Sequence, residues 1–353
     1  MSWEENIRRV EPYVPGDQPK VTGTIIKLNT NECPYPPTPT IEEAVRQLDT
    51  DMMRLYPNCT AEPLVAALSK HYGFAENEIF VGVGSDDVLA DCFLTFFHSD
   101  KPVLFPDITY SFYDVWAELY RIPYERPALD ENFHIVKEDY YRENGGIVIA
   151  NPNAPTGICE SADFIEDIVK HNPDSVVIVD EAYVDFGGTS VLELTRKYEN
   201  LLVVQTFSKS RSFAGMRIGF AVGNKTLIKY LSDVKFSINS YTMNQTAIYY
   251  GIKVVEDDKY FRETLAKVIA TRERCKKEFI KLGFNCSDSK SNFLFVTHKT
   301  AAAKDIYEHL KTKNIFVRYF GKPRIDNYLR ISVGTDEQMD ILLEELTAYI
   351  KQI

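Results

Sequence analysis

Six short apolar runs recur between residues 78 and 223, and stretches with helical periodicity separate them. Within each run the apolar residues are continuous rather than alternating, as in Val176–Val179 and Leu201–Val204. A strand that is apolar on both faces must be buried on both faces, as parallel strands are when helices cover the sheet. The pattern therefore predicts an α/β fold with a mostly parallel sheet.

The pattern divides the chain into three parts. Residues 1–39 are rich in proline, which forbids regular helix or central strand, and we expect an ordered arm. Residues 40–251 carry the α/β pattern and predict a large domain. After a long helical stretch over Lys253–Lys281, the order strand, helix, strand, strand, helix predicts a smaller α+β domain over residues 252–353, packed with the arm.

Composition limits the partners. The 353 residues carry a net charge of -11, so the overall field repels nucleic acid and anionic membranes. Any anionic ligand then needs a local cluster of arginines. No run approaches the ~20 apolar residues of a membrane span, and we expect a soluble, cytoplasmic protein. The cysteines and histidines are scattered, which predicts reduced thiols and no metal site built by the protein.

Polar residues collect where the predicted strands end. The carboxyl ends of parallel strands meet at one edge of a sheet, where α/β proteins bind ligands. Each segment by itself also fits a structural role, such as a capped helix, a rigid turn, a solvated acid or a surface lysine. The four segments are VGVGSDD ending at Asp87, IANPNAPTGI ending at Ile158, VVIVDEAY ending at Tyr183, and TFSKSRSFAGMRIGF ending at Phe220.

Two residues in these segments need a partner if they are buried. Asp180 ends an apolar strand, and a buried carboxylate requires a cation or a protonated ring nitrogen beside it. Lys209 stands between two serines just after a strand. It is either a solvated charge or an amine that forms a Schiff base, with Arg217 binding an anionic group of the same ligand.

In their order along the chain, GSD, NPNAPTG, DEAY and SKSRSFAGMRIG resemble the fold type I family of pyridoxal-phosphate aminotransferases, and the likeness runs from the arm to the last strand. Asp180 precedes Lys209 by 29 positions, and Lys209 precedes Arg217 by eight. The resemblance implies a seven-stranded sheet and pyridoxal 5'-phosphate as cofactor. It implies that Lys209 binds the cofactor covalently and moves protons, while Asp180 pairs with the protonated ring nitrogen.

The resemblance assigns further cofactor contacts. Tyr183 would hydrogen-bond the ring hydroxyl oxygen, Tyr110 would stack on the ring, and Tyr56 would reach the phosphate in a neighbouring subunit, which implies a homodimer. We expect Gly215 to let the backbone fold Arg217 back towards the phosphate. The phosphate would be bound by Gly84, Ser85, Asp86, Thr206, Ser208 and Arg217.

One position departs from the family pattern. Most relatives have an asparagine before Pro-Thr-Gly that bonds the ring hydroxyl oxygen, and this chain has Ala154 there. Asn153, a water molecule, or Tyr183 alone would have to replace it. Of these, we assign Asn153 to the cofactor site.

Within that family, EPYVPG, KLNTNECPYPP and two arginines near the C-terminus are similar to the histidinol-phosphate aminotransferases. The similarity implies that Arg318 and Arg330 bind the substrate phosphate. Tyr13, with Asn29 or Glu32, would lie near the imidazole. The predicted ping-pong reaction of histidine biosynthesis converts imidazole acetol phosphate and L-glutamate into L-histidinol phosphate and 2-oxoglutarate.

Three other functions stay open. An aromatic-amino-acid aminotransferase shares every cofactor residue and differs only in the substrate pocket. Threonine-phosphate decarboxylase is a relative that binds a phosphorylated amino acid but releases carbon dioxide. A catalytically silent binding module could have the same fold, but it has no need to bury Lys209 beside Asp180.

Overall fold

The computed structural model describes residues 3–14, 16 and 25–352. Its strands are β1 (Ile26–Lys27), β2 (Ile79–Gly82), β3 (Val103–Leu104), β4 (Tyr124–Glu125), β5 (Gly146–Ala150), β6 (Val177–Asp180), β7 (Leu201–Thr206), β8 (Gly219–Gly223), β9 (Phe284–Cys286), β10 (Phe293–His298), β11 (Ile315–Phe316), β12 (Arg318–Tyr319) and β13 (Leu329–Ser332). Its α-helices are α1 (Thr40–Arg46), α2 (Glu62–Tyr72), α3 (Ser85–Phe96), α4 (Phe112–Tyr120), α5 (Ala162–His171), α6 (Lys225–Ile238), α7 (Gln245–Glu256), α8 (Asp258–Lys281), α9 (Ala303–Thr312) and α10 (Asp336–Ile350).

The large sheet has seven strands in the order β2-β8-β7-β6-β5-β3-β4. Strand β8 runs antiparallel to both of its neighbours, and the pairs from β7 to β4 are parallel. All six predicted strands are present, and the predicted α/β fold is confirmed. The seventh strand, β4, is a two-residue edge strand without an apolar run, so periodicity did not predict it.

Both faces of the large sheet are buried, as continuous apolar strands require. Along β7, Leu201 and Val203 pack into one apolar cluster, while Leu202 and Val204 pack into another on the opposite face. Helices α2, α5 and α7 cover the first face, and α3, α4 and α6 cover the second. Each fully buried valine or leucine contributes about 1.5–3 kcal/mol, which holds the strand ends in place around the site.

The smaller sheet is antiparallel, in the order β12-β13-β10-β9, and α8, α9 and α10 contribute to its core. The predicted continuous helix over Lys253–Lys281 is wrong, because α7 and α8 are separate helices. Between them, the Asp257 carboxylate accepts a hydrogen bond from the Tyr260 backbone N–H at 3.2 Å and caps α8. Helix α7 packs into the large core as far as Val255, so the predicted domain boundary after residue 251 falls inside that helix.

The arm contacts both domains. Strand β1 pairs in parallel with β11, and the Ser332 backbone N–H donates to the Leu28 carbonyl at 2.9 Å. Further towards the N-terminus, the Tyr13 ring stacks on Phe112 of α4 at 4.2 Å. Among the helices of the described ranges, none is both long and apolar enough to span a membrane.

Candidate active site

A pocket lies where the parallel strands end. Strands β5, β6 and β7 end at its floor, and the first turn of α3 closes one side. The arm contributes Thr30 and Glu32 to the opposite side. Nine of the residues predicted for the cofactor line this pocket: Ser85, Asp86, Tyr110, Asp180, Tyr183, Thr206, Ser208, Lys209 and Arg217.

Asp180 is the buried carboxylate of this pocket, with 5% of its surface exposed. Its Oδ2 accepts from the Tyr113 hydroxyl at 2.9 Å, and its Oδ1 accepts from the Ala182 backbone N–H at 3.1 Å. Burial raises the pKa of Asp180 to about 6, although these hydrogen bonds oppose the shift. Within the described chain no cation forms an ion pair with Asp180, so the carboxylate can accept a protonated ring nitrogen from a ligand.

Tyr113 was not predicted as a site residue. It is fully buried on α4, and its ring lies edge-on to Tyr110 at 5.7 Å. In the sequence it appears as one more aromatic residue of an amphipathic helix, which normally means core packing. Only the contact with Asp180, 67 positions away, reveals its second role.

Lys209 contacts the arm inside the pocket. Its Nζ donates to the Thr30 carbonyl at 3.2 Å and lies 5.8 Å from the centre of the Tyr183 ring. The two serines beside it are occupied elsewhere, since Ser210 donates to Asp185 at 2.6 Å and Ser208 accepts from Arg217 at 3.3 Å. No carboxylate of the described residues forms an ion pair with Lys209, which leaves its amine available to a ligand.

The other end of the pocket is suited to an anion. Arg217 donates from Nη1 to the Ser208 hydroxyl at 3.3 Å and from Nη2 to Asp86 Oδ2 at 3.1 Å. The Thr206 hydroxyl donates to Ser208 at 3.0 Å. Helix α3 begins at Ser85, and the first backbone N–H groups of a helix have no intrahelical acceptor and form its positive end. The guanidinium, the hydroxyls and the helix terminus can therefore bind a phosphate together.

The backbone turn at Arg217 corrects one expectation. Gly215 does not adopt a left-handed conformation, whereas Arg217 itself has a φ of 53°. The expectation that Gly215 lets the chain fold back is therefore wrong. The glycine that matters is Gly84, whose φ is 90° and where an added Cβ would overlap the Arg217 guanidinium.

Two tyrosines form the side walls. The Tyr110 hydroxyl donates to Asp86 Oδ1 at 2.8 Å, and burial raises the pKa of Tyr110. The Tyr183 hydroxyl accepts from Asn31 Nδ2 at 2.9 Å. Both residues line the pocket, and their contacts with the cofactor stay predictions.

Ala154 lines the pocket, but Asn153 is not among the lining residues. The Asn153 amide nitrogen donates to the Ile108 carbonyl at 2.9 Å and to Thr156 at 3.2 Å, and its oxygen accepts from Thr109 at 2.8 Å. Both ends of the amide are thus occupied within the loop. The structure does not bring Asn153 to the site, and the amide that does contact Tyr183 belongs to Asn31.

The two arginines of the smaller domain are neighbours, since Arg318 of β12 lies opposite Arg330 of β13. Their guanidinium carbons lie 5.6 and 5.7 Å from the centre of the Phe320 ring. Arg330 donates from Nη2 to the Asn29 carbonyl at 3.1 Å, and desolvation lowers the pKa of Arg330. Neither arginine forms an ion pair with a carboxylate of the described residues, so both charges are available to an anionic substrate.

The remaining predicted residues lie on the arm and the surface. Glu32 accepts from Lys27 at 2.7 Å and from Thr30 at 2.9 Å. Burial opposes its ionisation, but these hydrogen bonds outweigh burial and lower the pKa of Glu32. Tyr56 is 81% exposed and outside the pocket lining, with its ring 4.7 Å from Tyr241. Tyr13 is half-buried against α4, and Asn29 is buried.

Known proteins resemble this chain over almost its whole length. It is 50% identical over 344 residues to a histidinol-phosphate aminotransferase of Clostridium beijerinckii, covering 98% of this chain and 96% of that protein. It is 47% identical to the protein of that name from Lactococcus lactis, covering 99% and 98%. Among solved structures, histidinol-phosphate aminotransferase from Clostridium acetobutylicum superposes with a TM-score of 0.86 at 20% identity, covering 93% of this chain and 100% of that one.

A second solved structure, the Sinorhizobium meliloti histidinol-phosphate aminotransferase in complex with pyridoxal-5'-phosphate, gives a TM-score of 0.84 at 22% identity, covering 93% and 91%. At these identities the solved structures support the fold alone. Residues 23–346 match the family described as aminotransferase class I and II. The chain therefore belongs to the class I and II aminotransferase family.

Proposed function

We propose that the protein transfers the amino group of L-glutamate to imidazole acetol phosphate, giving L-histidinol phosphate and 2-oxoglutarate. The observation that carries this proposal is one pocket with Lys209 and Asp180 at its base, together with two arginines on the smaller domain that have no carboxylate partner among the described residues. The names of the relatives at 47–50% identity support the same reaction.

The pocket residues fit pyridoxal phosphate, on which the aminotransferase family depends. Asp180 is a buried carboxylate that lacks a cation, and a protonated ring nitrogen would supply one. Arg217, Ser208 and Thr206 would bind the phosphate with the N-terminus of α3. When bound, the cofactor would supply an electron-accepting ring that stabilises negative charge on the α-carbon of the substrate.

The side chains would then have separate tasks. Lys209 would hold the cofactor, and its Nζ would move a proton to or from the substrate carbon. The Thr30 carbonyl holds that amine towards the arm. Asp180 would keep the ring nitrogen protonated, and Tyr113 orients the Asp180 carboxylate. Tyr110 would pack against the ring, and its hydroxyl is held by Asp86.

The arginine pair would bind the phosphate of histidinol phosphate. Guanidinium groups bind phosphate and carboxylate in the same bidentate way, so Arg318 and Arg330 can also bind glutamate in the second half of a ping-pong cycle. Tyr13 with Asn29 or Glu32 would lie near the imidazole.

A comparison of amino donors tests this function. We expect kcat/KM with 2-oxoglutarate to be higher for histidinol phosphate than for phenylalanine. A preference for phenylalanine would instead identify an aromatic-amino-acid aminotransferase. Carbon dioxide release from threonine phosphate without a 2-oxo acid would identify a decarboxylase, and a protein that stays colourless with added pyridoxal phosphate would be a silent binding module.

We also propose a homodimer in which Tyr56 completes the partner's site. An 81% exposed Tyr56 beside the exposed side chains of Met53, Leu55 and Tyr241 supports an interface there, because monomers seldom expose such an apolar patch. Sedimentation equilibrium tests it, and a monomer at micromolar concentration would contradict it. A cytoplasmic location stays a prediction.

Replacing Gly84 by alanine should weaken cofactor binding. The added Cβ would push the Arg217 guanidinium away from Ser208, and a φ of 90° strains alanine. Since a charge-assisted hydrogen bond is worth about 1.5–3 kcal/mol, we expect the Kd for pyridoxal phosphate to rise roughly 10- to 150-fold. Absorbance titration measures the Kd. The control is Gly215→Ala, where an added Cβ meets nothing within 4 Å, and an equal loss in both variants would contradict this account.

Replacing Arg318 by glutamine should affect the substrate and spare the cofactor. We expect kcat/KM for histidinol phosphate to fall roughly 10- to 150-fold, because one charge-assisted contact to the phosphate is lost. The absorption band of the bound cofactor should not change. Lys322→Gln removes one positive charge from the neighbouring exposed loop and should change kcat/KM by less than about 2-fold. Equal effects of the two variants would show that only net charge matters.

A further inference from the structure

Asn31 lies in KLNTNECPYPP between the two residues predicted near the imidazole, and the proposed function gives it no role. Although it belongs to the arm, it is only 2% exposed. Its Nδ2 donates to the Tyr183 hydroxyl at 2.9 Å, and its Oδ1 accepts from the Ser332 hydroxyl at 3.1 Å. Both ends of a buried amide are thus bonded to side chains from two different domains.

Ser332 sets the orientation of that amide. The Ser332 Oγ accepts from the Asn31 backbone N–H at 2.9 Å, so its one proton is available for Asn31 Oδ1. The reverse orientation of the amide would leave this proton without an acceptor, which is costly in a buried site. The backbone of Asn31 is held as well, because its carbonyl accepts from Asn292 Nδ2 at 2.9 Å.

This arrangement directs the Tyr183 hydroxyl. Since its oxygen accepts from Asn31, its proton points elsewhere, and the Tyr183 hydroxyl has no other hydrogen-bond partner among the described residues. Tyr183 lines the pocket beside Ala154 and Lys209, so the free direction is towards the ligand. Ala154 offers no polar atom there, and the amide of Asn153 is occupied in its own loop.

We propose that Asn31 is a positioning residue that turns the Tyr183 hydroxyl proton towards the ring hydroxyl oxygen of the cofactor, and so compensates for the amide that Ala154 lacks. The inference rests on the proposed function, because it takes pyridoxal phosphate as the occupant of the pocket. Ser332, which holds the Asn31 amide, lies on the same strand as Arg330, the arginine proposed to bind the substrate, two residues further along β13.

The variants that test this proposal leave the charged and titratable groups near the Tyr183 ring unchanged. Among the described residues these groups include Lys209, Arg330, Tyr110, Tyr113, Cys33 and Tyr35. Asn31 has a φ of 56°, a left-handed conformation that glycine adopts without strain. Asn31→Gly therefore removes the amide and preserves the backbone.

The experiment compares the parent, Asn31→Gly, Tyr183→Phe and the double variant, each loaded with pyridoxal phosphate. The readout is the pH midpoint of the visible absorption change of the bound cofactor. The negative ring oxygen would stabilise the proton on Lys209 Nζ, and a hydrogen bond from Tyr183 to that oxygen would weaken this effect. Loss of the hydrogen bond should therefore make the nitrogen keep its proton to higher pH. We expect Asn31→Gly to raise the midpoint by about 0.5–1 pH unit. In the Tyr183→Phe background the same change should shift it by less than about 0.2 unit.

Equal shifts in both backgrounds would overturn the proposal, because Asn31 would then act independently of Tyr183. No shift in the parent background would also overturn it, because Asn31 would then have no effect on the cofactor. If Asn31→Gly fails to fold, Ser332→Ala replaces it, and a shift in the same direction that disappears with Tyr183→Phe is expected. A parent protein without any visible band after addition of pyridoxal phosphate would overturn the proposed function itself, which separates the two failures.

Discussion

Replacing Lys209 by alanine should lower kcat for amino transfer by up to about 10⁴-fold, the upper end of the contribution of a positioned proton-transfer group. The reason is the position of its Nζ, which lies in the pocket with no carboxylate partner among the described residues and with only the Thr30 carbonyl as acceptor. Among the residues that the structure describes, the pocket lining contains no second lysine that could replace it. The half-reaction with histidinol phosphate, followed by absorbance, measures the loss.

Two further measurements make this result specific to Lys209. Borohydride reduction of the cofactor-loaded parent should attach the cofactor to Lys209, and an adduct at any other lysine would contradict the mechanism. Added methylamine should restore part of the activity of Lys209→Ala by replacing the missing amine. The control is Lys229→Ala, which removes an exposed lysine paired with Asp233 and should leave kcat unchanged.

Replacing Asp180 by asparagine should lower kcat roughly 10²- to 10³-fold, as when one preorganised electrostatic contact is removed from an active site. The neutral amide preserves an acceptor for Tyr113 but cannot hold a proton on the ring nitrogen. The loss should appear in kcat rather than in KM for histidinol phosphate, because the proposed phosphate site is formed by Arg318 and Arg330 and does not include Asp180. Steady-state kinetics at saturating cofactor measures both.

The same variant should stabilise the protein without cofactor. Burial raises the pKa of Asp180 from 3.8 to about 6, so its contribution to stability is present below pH 3.8 and is lost as the pH rises through 6. Asparagine has no proton to lose. Near pH 7.5 we therefore expect the free energy of unfolding of Asp180→Asn to be about 3 kcal/mol larger than that of the parent protein. Near pH 4 the two free energies of unfolding should be almost equal.

Urea unfolding of both proteins at the two pH values measures this difference. Asp91→Asn is a matched control, because Asp91 is a buried carboxylate on α3 outside the pocket, and burial followed by the nearby Asp87 raises its pKa to about 7. It should gain stability at neutral pH in the same way while kcat stays unchanged. A parent protein that is as stable as Asp180→Asn at pH 7.5 would contradict the pKa assigned to Asp180.

Much of the fold could be predicted because long buried strands carry their own signal. Strands β5, β6 and β7 are apolar on both faces, and this pattern identifies a helix-covered parallel sheet without any tertiary information. The short edge strand β4 and the reversed direction of β8 could not be predicted. A two-residue strand is defined only by its neighbour, and an apolar strand has the same pattern in either direction.

Part of the site could be predicted for the same kind of reason. Lys209, Asp180 and Arg217 stand in short segments whose order resembles one family, and the structure brings all three into one pocket. Asn153 shows the limit of that approach. It stands next to Ala154 in the chain, but neighbouring residues of a tight loop point in different directions, and its amide bonds Ile108 instead.

The amino-acid sequence by itself determined which reactive groups the protein has, the strands that end beside them, and the family to which these motifs belong. Only the tertiary structure decided which side chains orient those groups. Tyr113 meets Asp180 across 67 positions, and Asn31 meets Tyr183 across 152. Such contacts depend on the path of the arm and the packing of a helix, so no local pattern in the chain encodes them. A hydrogen bond also requires its two atoms to be within about 3 Å and aligned, and only the packed chain meets that condition.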